Sequence, residues 1–470
     1  MSKIRNRKLL FFTFLMTIFP VHAEMVTFEQ AWKILQEKNN SIAAQRANVD
    51  HYQKLEEASQ ALNYPSVTLG ASYTRLDDDV VLSTEELLNS LDTKSQSLVE
   101  SLLINASTNF GVNYTELIYG GSTLAEQDVL NSSINAFWAI YTGGKITAAH
   151  NYAAAKSEEA HAKLLMETQS RYDDLSRFYY TVVLAKSVLE TRISVEQGLT
   201  KHRDFAIKME QQGQIAKVER LQADASLAKA IVERKKSARD LDIATSALTE
   251  ILNKKTEVMP ASELFINGSL PTLSAFTEQT LLSYPGLSVL TAKQNQAQSS
   301  IDAEKSNYLP QVYLYGNYTL YEDNSLTSEI TPDWFVGVGV SIALFDNTGR
   351  SEKVQAAQSS ILQVRYLYHQ AIQDLTVLVK KTYFEAQQAI EEAQGLAASL
   401  ALANENLKLR SKAFNQGLST SIDVVDAEMF LANIKIQQLV AEFNYVVALN
   451  KLLSLSSQMS TFNQYELMAI

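Results

Sequence analysis

Two uninterrupted helical stretches dominate what this chain can fold into. They begin at Gly144-Lys145 and Gly349-Arg350 and run to about Met209 and Phe414. About 65 residues at about 1.5 Å each make a rod of roughly 100 Å, far longer than a compact domain holds. Breakers are scarce throughout, with 7 Pro and 16 Gly in 470 residues, as long helices require. In the second rod Val354, Ala357, Ile361, Val364, Tyr368, Ala371, Leu375 and Leu378 form a heptad seam, the spacing of a coiled coil. Each rod is followed by a shorter helix, at about 218–250 and 422–455.

The rods are two copies of one unit. Phe178-Tyr179-Tyr180 matches Thr382-Tyr383-Phe384, and the same offset relates Gly213 to Gly417, Ala223 to Ala427 and Tyr141 to Phe345. Upstream, Tyr64-Pro65-Ser66-Val67 matches Leu309-Pro310-Gln311-Val312. The first copy carries extra residues between Pro65 and Tyr141, and a repeat of this kind means one supersecondary unit used twice. Residues 27–62 and 273–307 read as helices that stop before Pro65 and Pro310. Strands of period-two alternation follow. Val67, Leu69, Ala71 and Tyr73 share one face, as do Val312, Leu314 and Tyr318. Val336, Val338, Val340, Ile342 and Leu344 stand opposite Gly337, Gly339, Ser341 and Ala343. A fourth, less regular strand lies near Ile134 to Tyr141.

The N-terminus sets the compartment. Lys3, Arg5, Arg7 and Lys8 precede the apolar run Leu9 to Phe19, and Val21-His22-Ala23 is a small-residue cleavage site. The pattern is that of a cleavable export signal. Its removal takes four positive charges and moves the formal net charge from −11 to −15. So acidic a chain lacks the basic footprint of a nucleic-acid binder. There is no Cys, which excludes disulfides, thiolate metal sites and a lipid anchor on a processed Cys. After Glu24 no apolar run approaches the length of a membrane helix. Entry into lipid would therefore require a closed β-barrel. Strands of about ten residues suit a tilted span, and Trp138, Tyr141, Trp334, Phe335 and Phe345 near strand ends suit an aromatic girdle.

Enzymatic signatures are missing. Gly143-Gly144-Lys145 has neither the earlier Gly nor the following Ser or Thr of a phosphate loop. His51, His150, His161, His202 and His369 have no chelating spacing. The sequence thus predicts no enzyme, no cofactor and no metal site.

The twofold repeat, the strand pairs after a helix-ending Pro, the rods and the Gly at each rod tip resemble the TolC family of outer-membrane efflux proteins. The resemblance covers nearly the whole mature chain. It implies a mainly α fold with a membrane β-barrel: a homotrimer with a 12-stranded barrel, four strands per chain, and a tunnel of coiled-coil helices across the periplasm. It further implies an outer-membrane exit duct in a tripartite efflux pump or type I secretion system. Its partners would be a periplasmic adaptor, an inner-membrane transporter and outer-membrane lipid. The expected division is 1–23 signal peptide, 24–252 first repeat with an external loop at 78–125, 253–272 linker, 273–455 second repeat and 456–470 C-terminal tail.

The segment Gly417-Leu418-Ser419-Thr420-Ser421-Ile422-Asp423-Val424-Val425-Asp426-Ala427 resembles the family's periplasmic tip. There two aspartates per subunit line a closed entrance, and Asp423 and Asp426 occupy those positions. At i and i+3 they share a helix face. The competing reading is that Asp423 merely stabilises a helix N-terminus. Glu219, in the first-half tip, stands where the family has an acidic residue tying helices together. Phe414 and Ser419 replace a hydrogen-bonding tyrosine and an arginine of the family's lock. Gly213, Gly417 and Leu418 would contact the adaptor. The rival reading is a trimeric coiled-coil surface fibre or adhesin with a barrel anchor, for which the strands should lie at one chain end.

Overall fold

A computed structural model describes residues 24–110, 113, 121–322, 331–345 and 347–468. The expected signal peptide, 1–23, lies outside the described residues. In chain order the first repeat holds β1 (Glu24–Val26), α1 (Phe28–Lys38), α2 (Asn40–Ser59), β2 (Ser66–Arg75), β3 (Val80–Ser83), α3 (Thr84–Asn89), α4 (Thr93–Phe110), β4 (Gly121–Ala125) and β5 (Asp128–Tyr141). It continues with α5 (Lys145–Gln211) and α6 (Lys217–Ile251). Then come β6 (Val258–Pro260), α7 (Leu273–Ser283), α8 (Pro285–Ser306), β7 (Gln311–Glu322) and β8 (Trp334–Ser341). The last elements are α9 (Arg350–Asn415), α10 (Ser421–Leu455) and α11 (Phe462–Met468). The rods α5 and α9 have 67 and 66 residues, and α6 and α10 have 35 each. The repeat read from sequence is therefore structural.

The breaks have local causes. Between α1 and α2 the extended Asn39 turns its side-chain oxygen onto the N–H groups of Ser41 and Ile42, which starts a new helix. Tyr284 is held extended by the following Pro285, and that separates α7 from α8. Thr27 and Gln30 form a reciprocal capping box on α1.

The chain divides into two compact units. One, residues 51–158 and 292–365, contains an antiparallel sheet in the order β2-β5-β7-β8. The register places Val67, Leu69, Ile134, Ala136, Trp138, Leu314, Tyr318, Trp334, Val336 and Val338 on one face. Ser66, Thr68, Ser72, Ser133, Asn135 and Asn317 occupy the other. On that polar face Asn317 donates to the side-chain oxygen of Asn135 at 2.9 Å, and Asn135 donates to Ser133 at 3.2 Å. The outer edges, on β2 and β8, have no strand partner among the described residues.

Two details differ from the sequence reading. β8 ends at Ser341 and not near Leu344, because its partner β7 begins at Gln311, opposite Ser341; beyond that point Arg350 takes the carbonyls of Ala343 (2.9 Å) and Leu344 (3.5 Å). Phe335 lies on the polar face, in register with Asn317, and so does not join Trp138 and Trp334 on the apolar one. The elbow before α5 needs glycine: Gly143 has φ +63°, and a Cβ there would sit 2.7 Å from the Ser306 carbonyl, so both backbone sign and space demand it. The 78–125 excursion carries the β3–β4 hairpin and the two helices α3 and α4.

The other unit, residues 24–50, 159–291 and 366–468 as described, is helical around a buried aromatic cluster. Phe28 packs within 5.1–5.5 Å of Tyr172, Tyr179, Tyr180 and Phe462. Such pairs contribute about 0.5–1.5 kcal/mol each beyond their buried area. The residues expected as a linker include β6, which pairs in parallel with β1. The Tyr179 hydroxyl donates to the Val26 carbonyl at 2.8 Å and so pins β1. The heptad seam is the least exposed stripe of α9. A second stripe on α9, Tyr366, Val377, Phe384, Leu402 and Leu409, is exposed in the single chain, as is Leu221, Val232 and Ile243 on α6. Their spacings of 7, 11 and 18 keep each stripe on one helix face.

Candidate functional site

The tips of the two helical hairpins are built alike. Gly213 and Gly417 have φ of +71° and +72°, the left-handed conformation that glycine adopts without penalty. Gly213 N–H donates to the Glu210 carbonyl and Gln214 N–H to that of Met209; Gly417 and Leu418 bind Phe414 and Ala413 in the same way. These paired bonds are Schellman closures, which satisfy the last carbonyls of a rod and turn the chain back. Leu418 is left 78% exposed beyond the closure.

Four residues later α10 starts on a second device. Thr420 and Asp423 form a capping box: the Thr420 hydroxyl accepts from Asp423 N–H at 3.4 Å, and one Asp423 carboxylate oxygen accepts from Thr420 N–H at 2.9 Å. The same oxygen accepts from the hydroxyls of Thr420 (2.7 Å) and Ser419 (2.9 Å), and the other lies 3.6 Å from Arg410. These bonds, Thr420 first, then Ser419, with Arg410 adding a charge, hold the Asp423 carboxyl down at about 2. Within one chain Asp423 therefore does serve as a helix cap. Asp426 is different. It is exposed, has no partner among the described residues, and borders a groove of about 230 Å³ with Lys229, Glu233 and Ile422.

Glu219, in the first turn of α6, accepts from Ser421 N–H at 2.6 Å. This bond joins the tips of the two repeats. The Ser421 hydroxyl lies 2.7 Å from Nε2 of the buried His202, whose ring packs 4.6 Å from that of Phe414. Burial pushes the His202 imidazole below its usual range, against the opposing pull of Glu219. Phe414 is 1% exposed, and it holds its place by packing. Arg220 completes the first tip with ion pairs to Glu210 at 2.6 Å and to Asp224.

The structure thus gathers Glu219, Asp423 and Phe414 into one connected tip, with Gly213, Gly417 and Leu418 at the turns. His202, Ser421 and Arg410 were not singled out from sequence. A Thr-x-x-Asp capping-box pattern at Thr420 was the available signal for the cap. His202 had none, because its partner Ser421 is 219 residues away. Among the described residues no cluster of His, Asp and Glu is arranged to hold a metal.

Residues 277–457 match the family model described as outer membrane efflux protein. The chain is 21% identical over 431 residues to outer membrane protein TolC of Salmonella enteritidis, which covers 89% of this chain and 78% of that protein. It is 24% identical over 188 residues to TolC of Vibrio cholerae serotype O1, covering 38% of this chain and 42% of that one. Its fold is similar to that of the Neisseria gonorrhoeae MtrE outer membrane channel in its open state, with a TM-score of 0.71 at 17% identity over 92% of this chain and 89% of that chain. The repeat, the four-stranded sheet and the two rods are thus similar to those of outer membrane efflux proteins of the TolC kind, whose family model matches residues 277–457.

Proposed function

We propose that three copies of this outer-membrane protein assemble into a passive exit duct. The observation that carries the reading is the sheet: apolar on one face, polar on the other and, among the described residues, open at both edges. A sheet edge cannot stay unpaired in lipid, so β8 of one copy must meet β2 of the next. Three copies would close a barrel of twelve strands, with the valine face toward lipid and the Ser133–Asn135–Asn317 ladder toward water. The exposed stripes on α6 and α9 support the same assembly, since two different apolar surfaces on one chain suit a head-to-tail ring.

Substrates would leave a tripartite efflux pump or a type I secretion system through this duct. An inner-membrane transporter would supply the energy, and a periplasmic adaptor would dock on the tips around Gly213, Gly417 and Leu418. Asp426 and Asp423 would line the entrance, which the Glu219–Ser421–His202 connection would help hold shut. A surface fibre with a barrel anchor is disfavoured, because strands occur mid-chain in both repeats. Mass measurement of the purified protein in detergent tests the proposal. A trimer that conducts ions in a planar bilayer is expected, and a folded monomer would overturn the duct.

A further inference from the structure

We propose that the polar face of the sheet carries a binding site for planar aromatic solutes, formed by Phe137, Tyr313, Tyr315 and Phe335. The inference rests on the duct reading, since it needs this face to line a water-filled passage.

The four rings form a continuous run. Phe137 and Tyr313 have centroids 5.3 Å apart, Tyr313 and Tyr315 5.9 Å, and Tyr315 and Phe335 6.2 Å. Register puts them on the face of Ser66, Thr68, Asn135 and Asn317, away from the lipid-facing valines. Four aromatic rings on the watered side of a barrel are not required by the bilayer, which draws aromatics to the outer face.

Their posture matters as much as their number. Tyr313 pairs with Gly339, and Tyr315 with Gly337. A Cβ on either glycine would fall 2.4 Å and 2.7 Å from the respective ring. Both rings therefore lie down across β8, and each offers a flat outer face to the passage. Phe137 and Phe335 are about half exposed beside them.

The chemistry selects a class of ligand. Ring faces carry negative π density and favour offset stacking or a cation above them. The hydroxyls of Tyr313 and Tyr315 have no partner among the described residues and can bond a ligand's polar edge. The Asn135–Asn317 amide pair, one row away, adds donors and acceptors. Within the rows of Ser66 and Thr68 no side chain is ionisable apart from Tyr315, so ring shape decides selection more than charge does. In a trimer the patch recurs three times around the passage. Aromatic cargo would then dwell at the wall briefly and repeatedly, and aliphatic cargo would not.

A tyrosine laid over a glycine also covers bare backbone, so the test must separate stacking from support. Phe137 faces no glycine, and Phe137→Leu is the first variant. Purified full-length protein in planar bilayers is exposed from the external side to caffeine, a neutral planar solute. Sorbitol, of similar mass, is the aliphatic control. Neutral probes leave the acidic entrance out of the readout. Caffeine is expected to lower the open conductance more than sorbitol at equal concentration. That excess should shrink about threefold or more in Phe137→Leu and in Tyr315→Leu, the effect of losing one aromatic contact, and should survive in Tyr315→Phe. Equal responses to the two solutes, or an unchanged excess in Phe137→Leu, would overturn the site while leaving the duct intact. A protein that fails to conduct at all would remove both.

Discussion

The carboxylate of Glu219 accepts a 2.6 Å hydrogen bond from the backbone N–H of Ser421, 202 residues away. One bond thereby links the first turn of α6 to the first turn of α10, where helix N–H groups lack internal partners. Glu219→Ala leaves that N–H without its acceptor, a loss of about 1–3 kcal/mol where water cannot replace it. Amide exchange at Ser421 should then accelerate well above wild type, while exchange in the aromatic core around Phe28 stays unchanged. Slow exchange at Ser421 in the variant would show that the tips are held by something else.

Acidification should loosen the same connection through His202. Its folded-state pKa is depressed by burial below the usual 6.5, so the unfolded tip takes up the proton first as pH falls. Stability contributed by neutral His202 is complete above about 6.5 and declines below it. Tip protection factors, corrected for the intrinsic pH dependence of amide exchange, should therefore fall between pH 7.5 and about 5.5, and His202→Gln should flatten that fall. A pH-independent tip would remove His202 from the account.

The two aspartates of the proposed entrance should separate under mutation. Asp423 is held at about 2 by its capping bonds, so its contribution to folding is present above the unfolded value of 3.8 and is lost only as pH falls through about 2. Thr420→Ala, which removes half of the capping box, should cost about 1 kcal/mol. Asp426→Asn should leave stability unchanged and still reduce both cation preference and periplasmic block by multivalent cations in a planar bilayer. If Asp426→Asn conducts like wild type, the constriction lies elsewhere.

The 78–125 excursion provides a fourth test. Its β3–β4 hairpin and helices connect β2 to β5 outside the four-stranded sheet. Replacing about Ser83 to Ser122 with a short linker should leave assembly intact, because β2 and β5 keep their own register through Tyr73 and Leu130. Gel filtration of the shortened protein checks this, and loss of the oligomer would assign the segment a structural role.

Periodicity makes most of this architecture legible in the sequence. Prolines at 65 and 310, the alternating valines of β8 and the heptad seam of α9 each act locally, so their meaning is written in adjacent residues. Relationships across distance were not. The β1–β6 pair involves two three-residue strands with no alternation to detect. Phe462 looked like part of a tail, yet it is 1% exposed, because its partners come from α1, α5 and the segment around Phe265. At the tip the motif around Asp423 was readable. Its capping box with Thr420 is local too, and only the approach of Arg410 depends on a helix that runs in from the other side of the turn.

Phe28 and Phe462 close the aromatic cluster from segments more than 400 residues apart, and Asn463 donates to Glu29 beside them at 2.7 Å. Phe28 also packs on three tyrosines of α5, but the cluster is complete only once Phe462 has arrived. Emerging helices therefore wait with this core unfinished until the last residues of the polypeptide are available. Quality control could then be read at a single place: a chain stalled or clipped before Phe462 would lack the last stone of its core and stay open to periplasmic proteases, however complete its strands.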